Sequence, residues 1–152
     1  SLYNAFGDKR ALYARALDHY VEGSVVARIR RCEGLPPCAA IRAFFADVVA
    51  RSLADPDRKG CMLVNAALEV APHDPELRDA VAAALARIED FFRTCVETGQ
   101  ADGTISAAQS AEDLARHFLG TLMGIRTLAR TRPERPLLEG ILRAALNPLL
   151  ER

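Results

Sequence analysis

The stretch CMLVNAALEVA, residues Cys61 to Ala71, is apolar on nearly every side, and its conformation decides the fold class. A run of this length is read either as a short buried strand or as a helix packed on all faces. The alanines favour the helix, and no other strand-like run exists for a strand here to pair with. Pro72 closes the segment. The choice makes the chain all-α, and it predicts a helix buried within a bundle.

Outward from this segment the helical pattern is consistent. Asp74-Pro75-Glu76 is a start signal: an N-cap, a proline at the first helical position and an acid in the first turn. Leu77, Val81, Ala84, Leu85, Ile88, Phe91, Phe92, Cys95 and Val96 then form one stripe lasting to about Gly99, with QADGTIS as a turn. Ser110 with Asp113 resembles a capping box and opens a helix to about Arg130 through Leu114, Phe118, Leu122, Ile125 and Leu128. Pro136 opens a last helix, LLEGILRAALNPLL. Upstream, Asp8 is read as the N-cap of a helix carrying Tyr13, Leu17, Tyr20, Val21, Val25 and Ile29, which fades near Gly34 before Pro36-Pro37. A further helix from Pro37 presents Ile41, Phe44, Phe45, Val48, Val49 and Leu53, and DPDRKG is a loop.

The last two helices each show more than one apolar side. Beside its core stripe, the helix from Ser110 carries Ala115, Leu119, Gly120, Met123, Gly124 and Thr127. The final helix has Leu138, Ile141, Leu142 and Leu149 on one side, with Leu146 and Leu150 set off to another. A surface helix needs one apolar stripe, so a second one implies cover from a second copy. Gly120 and Gly124, four residues apart, allow close backbone approach at such a contact.

Composition bounds the function. Half of the 152 residues are hydrophobic and 26% are charged, an ordinary balance for a folded domain, and the net charge is zero. That zero conceals polarity: residues 1–31 hold six Lys/Arg against three acids, leaving fourteen against seventeen in the remainder. A basic N-terminal end suits an anionic partner. Cys32, Cys38, Cys61 and Cys95 form no C-x-x-C pair, and His19, His73 and His117 are not spaced as co-ligands, so neither a zinc site nor another metal is expected. Without a signal peptide the cysteines read as reduced thiols, and the chain as a cytoplasmic protein that spans no membrane. No nucleophile elbow, phosphate loop or His-Glu-x-x-His is present, and His73 beside Asp74 is turn punctuation, so catalysis and cofactors are not expected.

The N-terminal stretch SLYNAFGDKRALYARAL is similar to TetR/AcrR-type transcriptional repressors at the junction between the recognition helix and the helix behind it. Ser1, Leu2, Tyr3, Phe6, Gly7, Lys9 and Leu12 fall on that frame, while Ala5 stands where the family has a larger side chain. GCMLVNAALEVAPHDPELRDAV resembles a central ligand-domain segment of one TetR branch, and HFLGTLMGIRTLAR resembles its dimerisation helix. The resemblance implies a TetR-type helical bundle. Residues 1–7 would be the remnant of a helix-turn-helix whose other helices precede Ser1. Residues 8–152 would be the ligand-binding and dimerisation domain, with 8–33 as the connecting helix.

What the resemblance implies for function is a homodimeric repressor that binds operator DNA and is released by a small-molecule effector. Tyr3, Asn4 and Lys9 would contact the DNA backbone. The interface would be Leu119, Gly120, Met123, Gly124, Thr127, Leu138, Ile141, Leu142, Leu146, Leu149 and Leu150. An effector cavity among the central helices would draw on Phe45, Cys61, Asn65, Phe92, Cys95, His117, Met123 and Arg126, with Arg126 as the clamp for an anionic ligand. Asn65, an amide in an apolar run, must find partners from backbone, water or ligand. Two alternatives stand beside this reading: a helical ligand-binding or dimerisation module that never touches DNA, and a regulator switched through Cys61 and Cys95.

Overall fold

In the computed structural model the backbone is described from Leu2 to Glu151 and the side chains from Gly7 onward. Helix α1 spans Leu2–Tyr20 and continues through a π-helical turn, Val21–Val26, into α2, Ala27–Glu33. Then come α3 (Pro37–Leu53), α4 (Met62–Glu69), a 3₁₀ turn (Ala71–His73), α5 (Pro75–Asp102), α6 (Ala111–Ala129) and α7 (Arg135–Ala145). Among the described residues there is no strand, only an isolated antiparallel bridge between Ile105 and Leu149. The helix in place of a strand at residues 62–69 is as expected, but it is shorter and less enclosed. Leu63, Val64 and Ala66 are buried while Leu68 is exposed, so α4 lies on the bundle's flank rather than in its middle.

The caps follow the chemistry of the start signals. Asp74 accepts from the backbone N–H groups of Glu76 and Leu77, with Pro75 beginning α5. Ser110 accepts from the Asp113 N–H at 3.1 Å. The reciprocal half of a capping box is missing, because the Asp113 carboxylate turns to Arg116 instead. At its other end α5 runs three residues beyond Gly99 and stops at Gly103, whose φ of 83° supplies the left-handed turn. Ile105 then folds back so closely on Gly99 that a Cβ there would collide with it.

Two further helix boundaries differ from expectation. Gly7 and Asp8 lie inside α1, so Asp8 is not an N-cap. A single glycine costs about 1 kcal/mol in a helix, and the alanines, leucine and arginines around it continue the helix through that position. The last helix ends at Ala145, because Pro148 cannot donate within a helix. The chain after it runs alongside residues 104–106, with Leu150 N–H donating to the Thr104 carbonyl and Ser106 N–H to Pro148.

Helix α5 is the organising element and packs against α2, α3, α4 and α6. Its face Leu77, Val81, Ala84, Ile88, Phe91, Phe92 and Val96 is buried, and each large side chain among these contributes about 1.5–3 kcal/mol by leaving water. The bundle core is aromatic. Phe45 and Phe92 stack at 5.3 Å with an interplanar angle of 9°, and Phe44, Phe91 and Phe118 close around them.

The long helix is tied to this body from the middle of α1. Arg10 on α1 reaches the start of α5, with Nε 2.5 Å from Asp74 Oδ2 and Nη2 2.7 Å from Oδ1, and it also meets Glu76. The Arg10 hydrogen bond, helped by the Leu77 and Glu76 N–H groups and opposed by partial burial, holds the Asp74 carboxyl at about 2. A carboxyl with a depressed folded-state pKa stabilises the fold above its unfolded pKa and loses that contribution as pH falls through the folded value. Stability is therefore expected to decline between about pH 4 and pH 2 on this account. Asp74→Asn flattens that part of the profile, as urea midpoints measured from pH 5 down to pH 2 in both proteins would reveal.

Candidate functional site

Buried polar groups gather around the two ends of the π turn, where Tyr20 lies near Cys61 and Arg126, and Arg28 reaches Asp47. The sequence VEGSVV places glycine, serine and β-branched residues in succession, all weak helix formers, at the point where the ladder slips by one residue. Just before the slip stands Tyr20. Burial, reinforced by the nearby Cys61 thiol, pushes its hydroxyl pKa up to about 12 against the opposing charges of Arg126 and Arg28. Tyr20 is thus a protonated hydrogen-bonding group at every physiological pH.

Two arginines enter this region from different helices with different partners. Arg28, 3% exposed, places Nε 2.6 Å from Asp47 Oδ2 and stacks its guanidinium 5.4 Å from the Phe44 ring centre. Burial works to raise the Asp47 carboxyl, but Arg28 and Arg51 overcome this and hold it below its usual value. Arg126, 6% exposed, has no carboxylate within ion-pair distance among the described residues. Its Nη1 donates to Ser52 Oγ at 3.3 Å, and its buried Nε has no partner.

The remaining expected pocket residues separate into distinct environments. Phe45 and Phe92 are fully buried against each other and fill the core instead of bordering a cavity. Asn65 is satisfied by the chain itself: Nδ2 donates to the Lys59 carbonyl at 2.7 Å, and Oδ1 accepts from Arg130 at 3.2 Å. Gly60, at φ 75°, is needed there because a Cβ would meet the Arg130 side chain. His117 is exposed and lies 3.0 Å from the Ala145 carbonyl, which ties α6 to the end of α7. Met123 is half-buried and packs on the core. Cys95 borders a separate open groove of 480 Å³ with Val26, Ile29, Phe91, Arg30 and Arg87. Of the eight expected residues, Cys61 and Arg126 share the Tyr20 neighbourhood. Tyr20 itself and Ser52 escaped a reading of periodicity, since each sits on an apolar stripe where a hydroxyl passes for core. The readable signal was Ser52 itself, a lone hydroxyl four residues after Val48.

The side chains of Tyr3 and Asn4 lie outside the described residues. Lys9 is exposed, in the interior of α1 and not in the first turn of a new helix. Among the interface candidates, Gly120 and Thr127 are exposed, and Leu119, Met123, Gly124, Ile141 and Leu142 are half-buried. Leu138, Leu146 and Leu149 are spent on the chain's own core, at 0%, 7% and 5% exposure. Leu150 is exposed.

Among the described residues the chain is an all-helical bundle led by a long N-terminal helix, with buried polar groups beside that helix's midpoint. Residues 37–145 match the family described as "Tetracyclin repressor-like, C-terminal domain", and the chain belongs to that family. It is 39% identical over 94 residues to the uncharacterized HTH-type transcriptional regulator YezE of Bacillus subtilis, a match covering 60% of this chain and 48% of the relative. The aligned part thus spans about half of that relative's length. A cysteine mutant of the TetR family transcriptional regulator CifR, complexed with 26bp double-strand operator DNA, superposes with a TM-score of 0.76 at 33% identity, covering 97% of this chain and 78% of that one. A TetR transcriptional regulator from Chloroflexus aurantiacus superposes at 0.79 with 28% identity, over 95% and 74% of the two chains. No described helix is long and apolar enough to cross a membrane.

Proposed function

We propose that the protein carrying this chain is a cytoplasmic, non-enzymatic transcriptional repressor that binds operator DNA as a homodimer and is released by a small-molecule effector. The observation that carries this reading is the likeness of nearly the whole chain to an operator-bound regulator, CifR. That likeness favours a regulator over a stand-alone helical module. The thiol-switched alternative is weakened at Cys95, where burial and then the neighbouring Cys32, Glu33 and Cys38 push the thiol up to about 12. Such a group is a thiol and not a thiolate at neutral pH, and therefore a poor nucleophile.

Release would proceed by population shift. Paired recognition helices fit successive major grooves at one separation, and an effector favouring a different separation lowers DNA affinity. Helix α1 is suited to transmit this, being anchored at its middle by Arg10 and meeting the polar cluster through Tyr20 at its C-terminal end. Lys9, with Tyr3 and Asn4, would steady the DNA backbone, and Leu119, Gly120, Met123, Gly124, Thr127, Ile141, Leu142 and Leu150 would meet the second copy.

The test is selection of random duplex DNA by the full-length protein, followed by anisotropy on the enriched sequence. The expected outcome is a two-fold symmetric site bound by two chains, at least about a thousandfold tighter than unrelated DNA. Enrichment of no sequence, or binding by one chain to an asymmetric site, would overturn the reading.

A further inference from the structure

A guanidinium taken out of water without a counter-charge is a costly thing to build into a core. Arg28 shows how the fold handles such a group when it is purely structural: Asp47 lies 2.6 Å away and the Phe44 face lies beneath it. Arg126 is as deeply placed, yet its protein partner is one neutral hydroxyl. Asp55, the carboxylate that feels the Arg126 charge, is already committed to the Gly60 N–H at 2.7 Å. Arg42 also holds an unpartnered Nε, but it is only half-buried and its Nη2 reaches the Glu151 carbonyl near the surface.

The orientation of Arg126 defines what it can accept. Ser52 occupies Nη1, which leaves the edge formed by Nε and Nη2. That edge presents two parallel N–H groups at the spacing of the two oxygens of a carboxylate. The surroundings along the two helices are apolar: Val48 and Val49 lie one turn from Ser52, and Leu122 and Ala129 one turn from Arg126, all of them buried. One unspent positive charge within apolar walls matches a monoanion with a hydrocarbon tail. A dianion would leave a second charge buried without compensation.

We infer that Arg126, with Ser52 and Tyr20 beside it, is the recognition site for a small organic monocarboxylate, held side-on by the guanidinium. This rests on the reading of the chain as an effector-responsive regulator, and it names the chemical class of the effector. The position also supplies a route to the DNA end. Tyr20 ends the regular part of α1, and the π turn after it is a register slip that a changed Tyr20 partner can shift. A carboxylate neutralising Arg126 alters the field on the Tyr20 hydroxyl and offers it an acceptor.

Thermal melting of the purified chain at pH 7 tests the site, with sodium butyrate as the probe, butyramide as its neutral counterpart and sodium phosphate as an inorganic oxyanion. Butyrate at ten times its dissociation constant is expected to raise Tm by about 3–6 °C, with butyramide and phosphate leaving it unchanged. Arg126→Met is expected to melt no lower than the parent without ligand and to lose the butyrate response, while Arg42→Met retains it. Arg126→Gln serves as a second variant if the methionine form does not fold. No butyrate shift in the parent, an equal shift with butyramide or phosphate, or an undiminished shift in the Arg126 variants would each overturn the assignment. Operator binding by the full-length protein separates the two layers. Release by butyrate that vanishes in Arg126→Met supports both. Butyrate binding through Arg126 with operator affinity unchanged leaves the anion site standing and removes the effector role.

Discussion

Phe92→Ala is expected to destabilise the domain by about 3–5 kcal/mol, a large share of the 5–15 kcal/mol typical of a folded domain. Phe92 is fully buried, and its ring centre lies 5.0 Å from Phe44, 5.3 Å from Phe45, 5.5 Å from Phe91 and 5.6 Å from Phe118. These rings belong to α3, α5 and α6, so truncation opens a cavity where three helices meet. The neighbours are themselves wedged by other helices and close it only in part. The loss combines the transfer free energy of the ring with the cavity term, and Tm is expected to fall by roughly 10 °C or more. Phe91 is the internal control. It sits at the rim, 7% exposed and bordering the open groove, so its neighbours can relax and Phe91→Ala costs less. Urea unfolding of the three proteins decides the matter. A Phe92→Ala loss below about 1.5 kcal/mol, or one no larger than that of Phe91→Ala, would show the aromatic cluster to be peripheral.

The order of the helices was legible because their starts are written in local chemistry. Asp74 before Pro75 and Ser110 before its first turn need no tertiary information, since the cap bonds are made within four residues. Boundaries without such a signal went astray. Asp8 after Gly7 looked like an N-cap, yet one glycine is too weak a signal against helix-forming neighbours. The π turn left no trace in the apolar spacing, because Leu17, Tyr20, Val21, Val25 and Ile29 follow ordinary helical intervals straight through it. Leu149 lands on the core whether the chain continues as helix or turns back, so its apolar character did not reveal the end of α7.

The site was legible in part for a related reason. Arg126 announced itself as a charge on an apolar helix, but whether such a charge is paired depends on what faces it across the bundle. Arg28 and Arg126 look alike in sequence, and Asp47 alone distinguishes them. Phe45 and Phe92 were drawn into the pocket by residue type, since aromatic side chains line cavities and fill cores equally well. His117 showed the converse: a polar ring on an amphipathic helix found a backbone carbonyl at the helix end and stayed near solvent.

Gly124→Arg is expected to leave the folded chain intact while weakening self-association by roughly a hundredfold or more, about 3 kcal/mol. The two effects separate because of where the glycine sits. Beyond the local helix backbone, a Cβ added at Gly120 or Gly124 would meet nothing within 4 Å, so the isolated fold has no steric objection to a side chain. Arginine is also a better helix residue than glycine by about 0.7–1 kcal/mol, so the substituted monomer should melt slightly higher. Between two copies the balance reverses. If the open faces of α6 and α7 meet, with Leu119, Met123 and Ile141 around a contact of small residues, an arginine at position 124 holds the backbones apart and brings a charge to the centre of each face. By symmetry the charge from one copy meets its own equivalent, since a two-fold interface places the same patch on both sides. Sedimentation equilibrium and thermal melting on the same samples read the two effects independently. A parent chain that is monomeric at micromolar concentration, or a Gly124→Arg dimer as tight as the parent, removes α6 from the interface. A drop in melting temperature together with dissociation would instead mean that the folded monomer depends on its partner.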